Sequence, residues 1–381
     1  MNNTLKMMLA LVFLGSACSS GFAASNEAIT NFLKHEEAQL SKTFPYRLNL
    51  PKNGQTAKND AGIRIAEDAK QLFSDDVGQV FYYDLYDHAM RVPHWHANTH
   101  EVGVVLEGKM RITIFEGKRK STVFTVEKNG TWSIPSASLH ALENVGSGNL
   151  KFLVSYDVPN SADRDFATAW AALPDAMLES SVGLTPEEIK NIKKTTINRL
   201  SKYDPSAKID NIDVGSPFAG SFDKTIPLIE NSLGSIQRVD AHNTPKMGNM
   251  TLQKTVLKPG TMREPHWYIG GDDLLYVYKG TAFFTMMDNN GKIFNAIVHP
   301  GDLIFIPVGV FHSYLNTGTD DLEIYETMKH TGKTKQIHEI TLLSGAQHFD
   351  AATMSAAIGI SKTSAEKIIK KEPQQYLVEF K

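Results

Sequence analysis

The stretch Arg91-Val92-Pro93-His94-Trp95-His96-Ala97-Asn98-Thr99-His100-Glu101 is answered later in the chain by Arg263-Glu264-Pro265-His266-Trp267-Tyr268-Ile269-Gly270-Gly271-Asp272-Asp273, at an offset of 172 residues. The same offset carries Gly108 to Gly280, Pro135 to Pro307, His140 to His312 and Asn144 to Asn316 without a change of register. A constant offset over that span marks a duplicated structural unit. Two replacements bear on chemistry: His96 is answered by Tyr268, and Glu101 by Asp273.

Alternate residues of a strand share a face, so His94 and His96 point together and Trp95 points away. Glu101 has the opposite parity, and the chain must turn or bulge near 97–100 to bring its carboxylate to the same centre. His140 arrives from a separate strand after Pro135. Three neutral imidazoles and one carboxylate suit a divalent ion, and an ion preferring six ligands keeps two positions for water, substrate or oxygen. A lone histidine is ordinarily a core or surface residue. Four donors in this order, repeated at a fixed offset, read as the metal ligands His94, His96, Glu101 and His140. His100, in the turn, is expected to face solvent, and His88 takes no assignment.

Around these residues lie short runs rich in Val, Ile, Phe, Tyr and Thr: Gln79 to Tyr86, Glu101 to Leu106, Met110 to Phe115, Ser121 to Val126 and Phe152 to Tyr156. Gly108, Gly117, Asn129 with Gly130, and Gly146 to Asn149 punctuate them. Evenly spaced short strands with such turns predict an all-β barrel or sandwich. The second unit repeats the pattern. Between the units Thr185, Pro186, Glu187 and Glu188 read as a capping box with proline at the first helical position, followed by Ile189, Ile192 and Ile197. Ile358 to Ser361 echoes Val182 to Thr185, so each barrel carries a helical appendage. The predicted organisation is an arm over 24–60, a first barrel over 61–160, a helical linker over 161–227, a second barrel over 228–330 and a helical appendage over 331–381.

The chain has 381 residues, 41% of them hydrophobic, and a formal net charge of -3. A near-neutral chain gives no reason to expect nucleic acid or an anionic membrane surface as partner. At the N-terminus, Lys6, the apolar run Met7 to Leu14 and the small residues before Ala24 read as a signal peptide over 1–23, cleaved after Ala23. Its apolar core is shorter than the ~20 residues that span a bilayer. Export to a periplasm or the medium is therefore expected, with no membrane span. The single cysteine, Cys18, follows the apolar core where a lipoprotein carries its acylated residue, but Gly15 stands where leucine is usual. Removal of Cys18 with the signal peptide is the default, which leaves histidine and carboxylate to carry any metal.

His94, Trp95, His96, Glu101 and Gly108, and later Pro135, His140 and Asn144, resemble the two cupin motifs. Pro307, Gly309, His312 and Asn316 resemble the second motif more fully, since Ala137 replaces its glycine in the first copy. Arg91 with His94, Trp95 and His96 is most similar to the bicupin oxalate decarboxylases. That resemblance implies two tandem cupin jelly-roll β-barrels with helical appendages. It also implies a Mn(II) ion, with Fe the next candidate, dioxygen as co-catalyst, and oxalate split into formate and carbon dioxide. Arg91 would neutralise the remote carboxylate of the substrate. The family places a glutamate proton donor on a flexible lid after the first barrel; here 158–165 holds no glutamate, and Asp163, with Asp165 beside it, is the available acid. That departure leaves an oxalate oxidase, another small-carboxylate oxidoreductase and a non-catalytic, germin-like metal-binding bicupin as alternatives, and a homo-oligomer stays open. In the second unit only His266 and His312 remain strong ligands beside Tyr268 and Asp273. A phenol with a pKa near ~10 ionises at a cost imidazole does not bear, so tight metal binding is not expected there, although Arg263 keeps an anion pocket in view.

Overall fold

Each repeat folds its alternating strands into two facing antiparallel sheets that together form a jelly-roll barrel. The structure, a computed structural model, describes residues 27–67, 78–117, 120–193, 199–204, 206, 215–331, 336–372 and 375–381. The expected signal segment 1–23, with Cys18, and the apolar position Ile197 lie outside the described residues.

In the first barrel, one sheet runs in the order Asp163–Asp165, Ala89–His96, Leu139–Asn144, Lys109–Gly117 and Lys120–Glu127. The facing sheet is centred on Gly130–Ile134, Glu101–Glu107, Leu150–Tyr156 and Gln79–Leu85. The second barrel repeats the arrangement, with Thr261–Ile269 beside Phe311–Asn316 in one sheet and Gly271–Lys279 beside Leu322–His330 in the other. Larger sheets of the two barrels pack together, so Val80, Val102 and Leu153 share one core with Leu252, Leu274 and Tyr276. Ser155 Oγ meets Thr327 Oγ1 at 2.8 Å, and these residues are 172 apart. Equivalent positions therefore touch, as a local twofold relation between the repeats requires.

The segments outside the barrels are less independent than their composition suggests. Arg47–Asn49 of the arm pairs with Asp302–Ile306 of the second barrel, and Phe32 of the 27–36 helix packs edge-on against Phe283. The linker, predicted helical, also supplies Asp163–Asp165 and Leu200–Lys202 to the sheet edge at Ala89–His96. His338–Thr341 and Leu377–Glu379 do the same for Thr261–Ile269. An edge strand exposes unpaired N–H and C=O groups, and these short strands satisfy them. The predicted capping box is present: Glu188 Oε2 accepts from Thr185 N at 2.8 Å at the start of the helix Pro186–Lys193. Gly183 and Gly359, equivalent in the two appendages, both take φ 70° where a helix ends.

Candidate metal centre

His94 and His96 lie on one face of the strand Ala89–His96, 1% and 2% exposed, and point into the barrel. The turn at 97–100 carries the chain to the facing sheet, so Glu101 enters from the opposite wall. His140 stands opposite His94 on the neighbouring strand. One ligand atom from each of the four lies within 4.8 Å of the others, and all four residues are buried. Among the described residues this is the one His, Cys, Asp and Glu group that converges in this way.

The hydrogen bonds behind the cluster fix which ring nitrogen faces inward. His94 Nδ1 is 2.7 Å from the Val92 carbonyl and His140 Nδ1 is 2.8 Å from the Ser138 carbonyl. A carbonyl only accepts, so Nδ1 carries the proton and Nε2 offers its lone pair to the centre. Trp132 Nε1 donates to Glu101 Oε1 at 2.9 Å, which aims Oε2 the same way. Burial, then the charge of Arg91 and the neighbouring imidazoles, pushes the His94 pKa well below its usual value. Burial also lowers that of His96, against the pull of Glu101. For Glu101, burial would raise the pKa, but His140 and His96 outweigh it and hold the carboxyl well below the ordinary range. Glu101 Oε2 approaches His96 Nε2 at 3.1 Å and His140 Nε2 at 3.3 Å. Yet neither Glu101 Oε2 nor His140 Nε2 has a well-directed hydrogen bond. Buried donor-set atoms left without partners fit a divalent cation, since neutral imidazoles and an ionised carboxylate are the forms that ligate.

Arg91 is 1% exposed and occupied. Its Nη2 bonds Asp163 Oδ1 and its Nη1 bonds Asp165 Oδ1, each at 2.6 Å, and Arg199 Nη1 pairs with Asp163 Oδ2. Residues 163–165, predicted as part of a flexible lid, form a strand with Asp163 opposite His96. Burial alone would raise the Asp163 carboxyl, but Arg91, His96, Arg199 and Arg64 together hold its pKa below the usual value. In this conformation Asp163 is therefore held as a carboxylate, clamped by Arg91 and Arg199. The pairing with two guanidinium groups is the physical reason.

The second barrel keeps the frame and changes the contents. The His266 and His312 rings lie tilted at 56° with centroids 4.1 Å apart, against 4.0 Å at the same tilt for His94 and His140, and their Nδ1 atoms face the Glu264 and Val310 carbonyls. Burial, then Glu326 and Glu339, raises the Tyr268 phenol well above its usual pKa, so it stays neutral. Glu326, on the strand Leu322–His330, enters where the first barrel has Val154. Burial, then the charge and hydrogen bond of Glu326, raises the Asp273 carboxyl well above the ordinary range. Burial raises the Glu326 carboxyl as well, so both buried acids are pushed toward the neutral form. Arg263, which kept an anion pocket in view, bonds Glu339 Oε1 at 2.5 Å.

His100, expected in solvent, is part-buried between the barrels, where Nε2 meets Ser133 Oγ at 2.7 Å and the ring packs on Gly248. Sequence reading missed Trp132 and Tyr156, whose OH is 3.3 Å from His96 Nε2. Strand alternation held a trace of Tyr156, since it ends the predicted strand Phe152 to Tyr156 and pairs with Glu101. Arg199 and Glu326 left no such trace.

A family model described as Cupin matches residues 48–190 and 221–366. Oxalate decarboxylase OxdC of Bacillus subtilis is 32% identical over 96 residues, a quarter of each chain. A probable oxalate decarboxylase of Arthroderma benhamiae is 23% identical over 76% of this chain and 72% of its own length. Germin-like protein subfamily 1 member 7 of Arabidopsis thaliana is 28% identical over 23% of this chain and 41% of its own. In three dimensions, a deletion mutant of the Bacillus subtilis OxdC superimposes with a TM-score of 0.79 at 20% identity, covering 90% of both chains.

Proposed function

Because the chain belongs to the cupin family, with one cupin unit in each half, we propose that it is an exported metalloenzyme that splits oxalate monoanion into formate and carbon dioxide at the first-barrel cluster. The observation that carries this reading is the convergence of His94, His96, Glu101 and His140 close to the buried Arg91. Oxalate decarboxylases among the relatives support the substrate. Bacillus subtilis oxalate decarboxylase has Mn(II) centres, which supports manganese here, with iron next for the same donor set. When bound, such an ion would supply Lewis acidity and one-electron chemistry with dioxygen.

The chain's own residues handle charge. Arg91 binds the remote carboxylate of the substrate by taking it in exchange for Asp163, since the two anions compete for the same Nη2 donor. An Asp163 carboxylate released from Arg91 loses the largest charge that keeps it ionised while burial still favours the neutral acid. Substrate entry thereby prepares a proton for the carbon that loses carbon dioxide. The clamped, ionised state of Asp163 favours a second reading if the exchange does not occur: oxidation of oxalic acid by dioxygen to two carbon dioxide and hydrogen peroxide, which needs no proton on carbon.

The test is incubation of the metal-loaded mature chain with labelled oxalate, measuring formate, carbon dioxide and peroxide together. Formate equal to carbon dioxide supports the lyase. Peroxide with two carbon dioxide and no formate replaces it by the oxidase, and no product at all leaves a metal-binding protein of the germin-like kind. Export is tested by intact mass, expected to begin near Ala24; a diacylglycerol adduct on Cys18 would mean membrane anchoring instead.

A further inference from the structure

A cavity of about 490 Å³, whose lining includes none of the four clustered residues, is bounded by the cations Arg64 and Arg199, the carboxylates Glu67 and Asp163, and Gln79 and Ser161 among others. Arg64 is the unusual member. It is nine-tenths buried, its Nε bonds the Tyr83 hydroxyl at 3.1 Å, and its guanidinium lies 4.2 Å from the Phe81 ring centroid. That ring contact and hydrogen bond fix the plane of the group. Its two terminal nitrogens have no hydrogen-bond or ion-pair partner among the described residues. The equivalent position in the second barrel is Ile236, so the repeat did not require a cation here. Arg199, on the same wall, uses Nη1 on Asp163. Gln79 and Ser161 are bonded to each other and form a neutral, polar part of the lining.

We propose that this cavity is a docking site for a small dicarboxylate, held by the free fork of Arg64 and by Arg199, before or apart from entry to the metal chamber. A pre-oriented guanidinium whose terminal nitrogens are unused matches a carboxylate in bidentate fashion, and immobilisation by Phe81 and Tyr83 lowers the entropy cost of binding. The second carboxylate of the ligand meets Arg199, which can share its donors between Asp163 and an anion. A cavity of this size admits dicarboxylates longer than oxalate. The site does not depend on which reaction the metal cluster performs.

The experiment is calorimetric titration of the full chain with malonate, which fits the chemistry of the site. Wild type, Arg64→Met, Arg64→Lys and His140→Ala are compared, and acetate serves as the single-carboxylate control. Methionine keeps an apolar contact with Phe81 while removing the charge. The expected result is saturable malonate binding by the wild type and by His140→Ala, weakened at least about tenfold by Arg64→Met and less by Arg64→Lys. Thermal melting checks that Arg64→Met is folded, and Arg64→Lys carries the test if it is not. Malonate binding that survives Arg64→Met, or that fails in His140→Ala, overturns the proposal, as does no saturable binding to the wild type. Acetate binding as tightly as malonate overturns the assignment to a dicarboxylate. None of these readouts uses turnover, so a failed oxalate reaction and a failed docking site are distinguishable.

Discussion

Asp163→Asn should move substrate affinity and turnover in opposite directions. The wild-type carboxylate is buried and bonds Arg91 Nη2 at 2.6 Å, where substrate has to bind, and its other oxygen pairs with Arg199. Arg91 stays charged in the variant, so carboxylate and amide both make a hydrogen bond to a charged group, a class that spans about 1.5–3 kcal/mol, with the ion pair at its upper end and the amide at its lower end. Exchanging carboxylate for amide at Arg91 therefore weakens the internal competitor by about 1–1.5 kcal/mol. The Arg199 contact adds little, because that side chain is 36% exposed and its charge is screened. Oxalate should then bind about tenfold more tightly. Formate production should fall by roughly 100-fold, the usual scale for loss of a general acid. The fold survives, because Arg91 keeps Asp165 as a charged partner. Affinity is read by calorimetry on the metal-loaded chain without oxygen, and turnover by formate release in air. Weaker oxalate binding would refute the exchange of carboxylates on Arg91. Tighter binding with undiminished formate would refute Asp163 as the donor; a fall confined to Asp165→Asn would move that role by two residues.

Metal content after dialysis should be about one equivalent per chain, lost in His96→Ala; two equivalents, or no change in that variant, would overturn the assignment to the first barrel. Ala137 takes φ 62°, where the equivalent Gly309 takes 78°. Ala137→Gly should therefore relieve about 1–2 kcal/mol of left-handed strain, less about 0.4–1 kcal/mol of added unfolded-state entropy, and a lowered melting temperature would contradict this. The raised pKa values of Asp273 and Glu326 give a pH signature. Raised native pKa values mean that the native state keeps a proton the unfolded chain releases above about pH 4, so this pair destabilises the fold progressively as pH rises through neutrality. Glu326→Gln should melt higher than wild type by a margin that grows from pH 4 to pH 7, and a margin independent of pH would remove the pair as its cause.

The barrels and the convergence of His94, His96, Glu101 and His140 were legible because strand alternation has a period of two and the repeat fixes which positions matter. His94, His96 and His140 needed only parity and offset to be placed together. The state of Asp163 was not legible, because a short polar stretch after a strand reads as a loop until its backbone is seen to pair with His96. The partners of Arg91 were hidden in a related way: its position marked an anion site, and the anions that occupy it here, Asp163 and Asp165, lie more than seventy residues away. His100 was read from its turn, and the second barrel that buries it contributes Lys246 and Gly248 from far along the chain. Local pattern thus gave each residue its direction, while long-range pairing decided its charge.

The contrast between the barrels follows from how each one compensates a buried carboxylate. In the first, Glu101 has Trp132 on one oxygen and imidazoles near the other, so an ionised state is favoured and a cation completes it. In the second, Ile304 occupies the position of Trp132, Tyr268 that of His96, and Glu326 that of Val154. Those three exchanges remove a donor and an imidazole and add a second acid. Burial and mutual repulsion then make the Asp273–Glu326 pair retain a proton, which lowers the charge two carboxyls carry in a closed interior. A divalent cation entering there must expel that proton and also overcome Arg263 and Arg238, whose positive charges act on the same interior. Restoring histidine alone, as in Tyr268→His, therefore leaves the proton in place. The double change Tyr268→His with Glu326→Val removes the competitor as well, and it is the variant in which a second equivalent of metal should first be retained on dialysis.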